Sequence, residues 1–346
     1  MLNIVSHESM LEKRRKQTVH EQLPYEVAGE TKYIDKNMVN GEMDTLELEK
    51  PLGELITFGS VEELNGVLAK MTLDVDLGRE DVPLLYQPIY DLVSNPNLPK
   101  ILDAKWALFG DCVFLEHVEG QEVKFGSISA EKGPVARLQM FTTGFQFTEE
   151  MKLYNSTYEM EDYSKAVGRA HNALLNHLYL SPILKYAYKA SNKTSKVTPK
   201  DPNAPDFMVY YETLQKALKD ARIAKRPGSV LLASSANQEE IEQALKGGHT
   251  INGTVYPSFG GIQTIIYYDG YTIKVGDETY EYPGVAAGKA YLIRPKQGFK
   301  ELVKAQLTTK SGSADISRLI DEQIVWYTVR GVFAALEENV QEISFS

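Results

Sequence analysis

Apolar residues return at steps of three and four through Met160, Tyr163, Val167, Ala170, Leu174 and Leu178, the spacing that gathers side chains on one side of an α-helix. Glu161, Lys165, Arg169 and Asn176 fall off that stripe. Ser156 with Glu159 forms a capping box at its start, and Ser181-Pro182 predicts its end, because proline cannot continue the hydrogen-bond ladder. The predicted helix is about 22 residues, or ~33 Å, long. A shorter helix is predicted from Ser60 to Lys70, with Ser60 and Glu63 as its capping pair and Val61, Leu64, Val67 and Leu68 on one face.

Strand patterns occupy other stretches. CVFLEHVEGQEVKFGSI reads as a β-hairpin hinged at Glu119-Gly120, and Ala136–Thr142 as a strand, after which TTGFQFTEEMKLYN leads into the long helix. Residues Ser191–Asp206 hold three prolines and little that is apolar, which predicts an exposed connection and a domain boundary. Beyond it come a helix over Val209–Lys225, a buried strand in SVLLASS, and a helix over Asn237–Leu245 capped by Asn237 and Glu240 and closed by Gly247-Gly248. Asp269-Gly270 is a strong hairpin signal between runs rich in Tyr, Ile and Thr. After a polar break at Ser311–Asp315, a further strand-like run reaches the end. Met1–Lys50 is polar and weakly periodic, and predicts an extended arm that lies on something else.

Composition narrows the classes. The 346 residues are 43% hydrophobic and 24% charged, enough apolar material for two or three domains, and disorder of the whole chain is excluded. The longest apolar run, Val332–Leu336, is five residues, far short of the roughly 20 of a membrane helix. Cys112 is the single cysteine, so no internal disulfide forms and a reducing compartment is expected. The net charge of −10 argues against a dedicated nucleic-acid binder, with only Lys13–Lys16 locally basic.

Catalytic and ligand motifs are not signalled. Gly288-Lys289 is followed by Ala290, so the phosphate-loop hydroxyl is missing, and neither GxGxxG nor GxSxG occurs. His171 and His177 are six apart and point to different helix faces. The acidic DVDLGRED has Arg79 and Leu85 where a calcium loop wants glycine and glutamate, which predicts a solvated turn. Cys112 and His117, five apart in a strand, face opposite ways. No catalytic, cofactor or metal residue is expected, and the chain is not expected to be an enzyme.

EGQEVKFGSI, GFQFTEEMKLYN, SVLLASSANQEEIEQAL and RGVFAALEENVQEI, taken with the order of parts, resemble the major capsid protein of tailed bacteriophages, the Hong Kong 97-type fold. The resemblance covers most of the chain after about Val82 and rests on element order. It implies an α+β fold with an N-terminal arm (1–106) and an E-loop hairpin (107–134). It further implies a peripheral domain (135–206 and 298–346) with a spine helix at about 157–180, and an α/β axial domain (207–297). It implies a subunit that self-assembles into hexamers and pentamers of an icosahedral shell, built in the host cytoplasm, that encloses a double-stranded DNA genome in the virion without sequence-specific binding. The N-terminal region is too short for a fused scaffolding domain, so a separate scaffolding protein is implied, with a portal and a decoration protein as further partners. Glu116, Glu119, Glu122, Lys124, Phe125, Arg137, Lys165 and Arg169 are the expected intersubunit contacts. Two alternatives stay open: an encapsulin-like bacterial compartment shell, and a cytosolic α/β enzyme without a recognisable motif.

Overall fold

Two runs, Val-Leu-Leu-Ala and Thr-Ile-Ile-Tyr, lack the polar alternation of a half-buried strand, and such runs belong in a sheet covered on both faces. The computed structural model places them in such a sheet. It describes residues 3–5, 23–27, 30–34, 61–103, 135–148, 157–199, 204–246, 249–251, 254–258, 260–275, 277–312 and 320–345.

The first elements are strands β1 (Asn3–Val5), β2 (Leu23–Val27) and β3 (Glu30–Ile34), then helix α1 (Val61–Asp81) and strands β4 (Asp91–Ser94), β5 (Ile101–Asp103) and β6 (Val135–Thr148). Helix α2 (Thr157–Lys185) follows, then β7 (Lys193–Thr194), α3 (Phe207–Ile223), β8 (Val230–Ala233), α4 (Gln238–Lys246), β9 (His249–Ile251) and β10 (Thr254–Tyr256). The remainder is β11 (Thr264–Tyr267), β12 (Gly270–Val275), β13 (Glu278–Pro283), β14 (Lys289–Ile293), β15 (Phe299–Gly312), β16 (Ile320–Ala334), the single turn α5 (Leu336–Asn339) and β17 (Val340–Ser344).

A six-stranded sheet runs β1-β11-β8-β14-β17-β7. Its alternate side chains divide between two cores. Val230, Leu232, Ile266, Tyr291 and Ile293 pack with Leu175, Leu180 and Ile183 of α2, while Leu231, Ala233, Ile265, Ala290 and Leu292 pack with Leu214, Leu218 and Ala221 of α3 and Ile241 of α4. A second sheet runs β3-β2-β15-β16-β6-β5, with β4 also paired to β15. Ile324, Trp326, Thr328 and Arg330 on one face of β16 are buried, and Val325 on the other face is exposed.

Several elements differ from their sequence reading, each for a physical reason. The N-terminal segment is not featureless: β1 pairs parallel with β11, and the β2–β3 hairpin pairs with β15. Short strands that cannot bury themselves here complete exposed sheet edges. Helix α1 runs through the predicted turn DVDLGRED to Asp81, because α2 covers that face; Asp74, Asp76 and Arg79 are buried there. Helix α2 passes Pro182 and ends at Lys185, its last turn held by Leu180 and Ile183, both fully buried in the core. Asn176, expected off the apolar stripe, is buried too. Strand β6 continues to Thr148 through TTGFQFT, paired along its length to β16.

Asp269-Gly270 is not a hairpin turn. β11 pairs with β1 and β8, β12 pairs with β13, and the dipeptide is the corner between them. Asp269 Oδ1 accepts hydrogen bonds from Ser234 Oγ and the Ser235 amide, and Gly270 takes φ +87°, where an added Cβ would lie 2.1 Å from the Tyr282 carbonyl oxygen. The Ser191–Asp206 connection is threaded into the fold rather than exposed throughout: β7 pairs with β17, and Thr194 Oγ1 donates to Asp220 Oδ2. Asn237 does not cap α4 with its side chain; it donates to Tyr210 Oη and accepts from the Gly288 amide.

Candidate assembly surfaces and the α1–α2 crossing

Helices α1 and α2 approach closely, and two glycines permit it. A Cβ on Gly168 of α2 would lie 2.0 Å from the Val75 carbonyl oxygen, and one on Gly78 of α1 would lie 2.0 Å from that of Lys165. Backbone therefore rests on backbone. Around this contact α2 supplies the groups that finish α1. Asn172 Nδ2 donates to the carbonyls of Arg79 and Val82, both at 2.8 Å. Asn176 Nδ2 donates to the Pro83 carbonyl and its Oδ1 accepts from the Leu85 amide. The bond to Arg79 satisfies one of the carbonyls that a helix leaves unpaired at its C-terminus, and the others hold the chain just beyond it at Val82, Pro83 and Leu85. Arg79 is buried, its Nε donating to Asn172 Oδ1 at 3.3 Å and its Nη1 3.5 Å from Asp76 Oδ1.

The face of the second sheet away from the helices carries apolar groups in water. Val325 on β16 stands opposite Gly144 on β6, with Met140, 60% exposed, further along the same face of β6; Leu92 on β4 and Ile101 on β5, in register with Glu301 and Arg137, are exposed on the opposite face. On the covered face, Tyr163 of α2 donates to the Gly144 carbonyl and packs against Phe145 at 4.6 Å and Trp326 at 6.3 Å.

The three expected contact residues that are described fall in different places. Arg137 is exposed on β6 opposite Ile101. Lys165 lies at the helix crossing, its carbonyl oxygen against Gly78. Arg169 Nη1 reaches Asp81 Oδ2 at 3.2 Å, a link from α2 to α1 within the chain. Glu116, Glu119, Glu122, Lys124 and Phe125, with the predicted hairpin, lie outside the described residues. Cys112 and Lys13–Lys16 lie outside them as well.

A cavity of about 320 Å³ opens between the 86–90 turn and the second sheet, lined by Tyr86, Tyr90, Asp91, Lys296, Glu301 and Arg330. Its floor is a buried ion pair, Arg330 Nη1 to Glu301 Oε1 at 2.5 Å, and Tyr86 Oη donates to the same Glu301 oxygen at 2.8 Å. Tyr86 stacks on Tyr179 at 4.2 Å, and Tyr90 Oη donates to the Tyr179 carbonyl. Burial, and then the Glu301 charge, raise the Tyr86 hydroxyl well above its ordinary value; burial, and then neighbouring Tyr179, do the same for Tyr90. Both keep their protons at neutral pH, so they act as hydrogen-bond donors that tie the turn to β15 and α2. No sequence pattern marked this cluster; Glu301 and Arg330 sit in opposite strands and meet only through pairing.

Among the described residues, no group of three or more His, Cys, Asp or Glu is placed to hold a metal ion, and no helix is long and apolar enough to cross a membrane.

No family model and no curated protein matches the sequence. Solved structures do. The capsid structure of the cyanophage P-SCSP1u matches 76% of this chain and 88% of that one, with a TM-score of 0.50 at 13% identity. The mature capsid of bacteriophage PhiM1 covers 75% of this chain and 86% of that one, with a TM-score of 0.48 at 9% identity. The virus-like particle from Pyrococcus furiosus covers 80% and 98%, with a TM-score of 0.47 at 12% identity.

Proposed function

We propose, from the mixed α+β fold this chain shares with a phage capsid subunit, that it is a major capsid protein that assembles with copies of itself into a virion shell. The observation that carries this is the match to the cyanophage P-SCSP1u capsid over 76% of this chain and 88% of that one. In this reading the architecture is of the Hong Kong 97 type. Helix α2 is the spine, residues 135–206 and 298–346 form the peripheral domain, and residues 207–297 form the axial domain. Residues 107–134 form the E-loop.

The surface chemistry supports an assembly role. Met140, Val325, Leu92 and Ile101 leave apolar area in water that packing between subunits would remove. A net charge of −10 per copy keeps the shell from adhering to packaged DNA. The subunit forms hexamers and pentamers around a double-stranded genome in the host cytoplasm, with a scaffolding protein, a portal and a decoration protein as its other partners. Glu116, Glu119, Glu122, Lys124, Phe125, Arg137, Lys165 and Arg169 contribute to contacts between copies, where charged pairs set register more than affinity.

Negative-stain microscopy of the purified chain, expressed alone and with the gene upstream of its own, tests this reading. Closed shells or tubes of ring-like capsomers are the expected result. Small uniform particles under both conditions would overturn it.

A further inference from the structure

Two small surfaces of opposite charge lie on opposite sides of the six-stranded sheet. One is the tip of the β12–β13 hairpin. Register places Tyr271 against Tyr282, Ile273 against Tyr280 and Val275 against Glu278, so one face of the ribbon is almost wholly apolar. At the base this face is covered, because Tyr282 stacks on His177 of α2 at 4.7 Å. At the tip it is open: Val275 is 61% and Tyr280 50% exposed, and Asp277 of the turn and Glu278 stand exposed beside them, while Lys274 and Glu281 belong to the other face of the ribbon. A lone two-stranded ribbon is marginal in water, and an uncovered apolar tip makes it more so.

The other surface is the C-terminal end of α3. Lys216, Lys219 and Ile223 follow one another at three and four residues on a single edge of the helix, with Arg222 and Lys225 beside them, all exposed. Ile223, 71% exposed, is the most open large apolar residue among those described. Asp220, the acid within this stretch, is half-buried and accepts from Thr194. The hairpin rests on α2, which covers one face of the sheet, while α3 covers the other.

We propose that the acidic hairpin tip of one copy docks on the basic α3 end of the next, Val275 and Tyr280 covering Ile223 while Asp277 and Glu278 meet Lys216, Lys219 and Arg222. The inference rests on the self-assembling reading given above and names the pair of surfaces that it uses. Charge complementarity selects the occupant: each patch lacks what the other carries, an apolar centre ringed by the opposite sign. Because the two patches differ and lie on opposite sides, the contact is head-to-tail, and a head-to-tail contact closes a ring when its rotation permits. The hairpin then gains from the neighbour the cover that its own chain does not give its tip.

The test is charge reversal with rescue in the full chain, read by sedimentation velocity and negative-stain microscopy. D277K with E278K, and separately K219E with R222E, are expected to raise the protein concentration at which rings or shells form by about tenfold, since like charges are brought together. Melting should stay at the wild-type temperature, because all four side chains are exposed. The chain carrying all four reversals should assemble at the wild-type concentration. Wild-type assembly with either reversed pair assembling equally well, or with the fourfold variant no better than the worse pair, overturns this contact and leaves the shell reading standing. A wild-type chain that stays monomeric under both expression conditions overturns the shell reading and this contact with it.

Discussion

Replacing Gly168 by alanine adds a single methyl group, yet the structure makes it a severe change. The new Cβ would lie 2.0 Å from the Val75 carbonyl oxygen, 2.7 Å from the Arg79 amide nitrogen and 3.0 Å from the Gly78 carbonyl carbon. All three are backbone atoms, so no rotamer change relieves the clash, and α1 and α2 must separate by about 1 Å or more. Overpacking of that kind costs about 1–3 kcal/mol. Separation also stretches the 2.8 Å bonds from Asn172 to the Arg79 and Val82 carbonyls and the Asn176 bonds at Pro83 and Leu85, each contributing about 1 kcal/mol. Against this, alanine is preferred to glycine in a helix interior by about 1 kcal/mol. The net loss is about 2–4 kcal/mol, a fall in melting temperature on the order of 5–10 °C. Circular dichroism melting of Gly168→Ala beside Gly144→Ala measures it; an added Cβ at exposed Gly144 comes no closer than 3.4 Å to its neighbours, so that variant should melt with the wild type. A Gly168→Ala chain as stable as wild type would mean that helix propensity outweighs the crossing, and the argument would fail.

Removing one member of the buried Glu301–Arg330 pair, as in Glu301→Leu, should cost about 3–5 kcal/mol in urea unfolding, whereas Glu301→Leu with Arg330→Met should cost clearly less; equal losses would show that the ion pair is not the source. Burial, and then nearby Lys185, lower the His177 pKa from the ordinary 6.5, so the neutral ring is favoured in the fold. Its contribution is full above 6.5 and lost as pH falls through the lowered value, and amide protection factors in 270–283, corrected for the intrinsic rate, should fall on acidification in the wild type but not in His177→Phe. Deleting Glu116–Phe125 should leave folded, soluble subunits that form no shells by negative stain; normal shells would remove the role assigned to that hairpin. Met140→Ser should change subunit melting by an amount equivalent to less than about 0.5 kcal/mol, since its side chain is already in water, while raising the concentration needed for assembly.

The long helix was legible from the period of its stripe, but only Met160 and Val167 of that stripe are buried, the other four residues are half-buried, and the packing face is centred instead on residues such as Leu175 and Tyr179. The continuous apolar run of β8 likewise announced a buried strand, whereas β11 was legible only as one arm of a hairpin. Tertiary cover was not legible. DVDLGRED reads as a solvated turn by its charges, and only the approach of α2 through two glycines makes it helical and buries Arg79. Asp269-Gly270 carries turn chemistry in any context; whether that turn joins paired strands depends on β11 lying between β1 and β8, partners drawn from distant parts of the chain. The Glu301–Arg330–Tyr86 cluster was invisible for the same reason, since strand register and not spacing brings the three together. Of the eight expected contact residues, Arg137 is exposed as an outward-facing group must be, while Arg169 is drawn into an ion pair with Asp81 by the longer α1.

Strand β17, synthesised after every other strand, lies between β14 and β7. Ile343 and Phe345 fill the α3 side of the sheet, and Val340 the α2 side, so both cores wait for residues 340–345 to be made. A nascent chain stopped before Val340 leaves β14 with an unpaired edge and both layers with gaps. A chain shortened in this way closes neither layer, so one five-residue strand decides whether both cores of the sheet are completed.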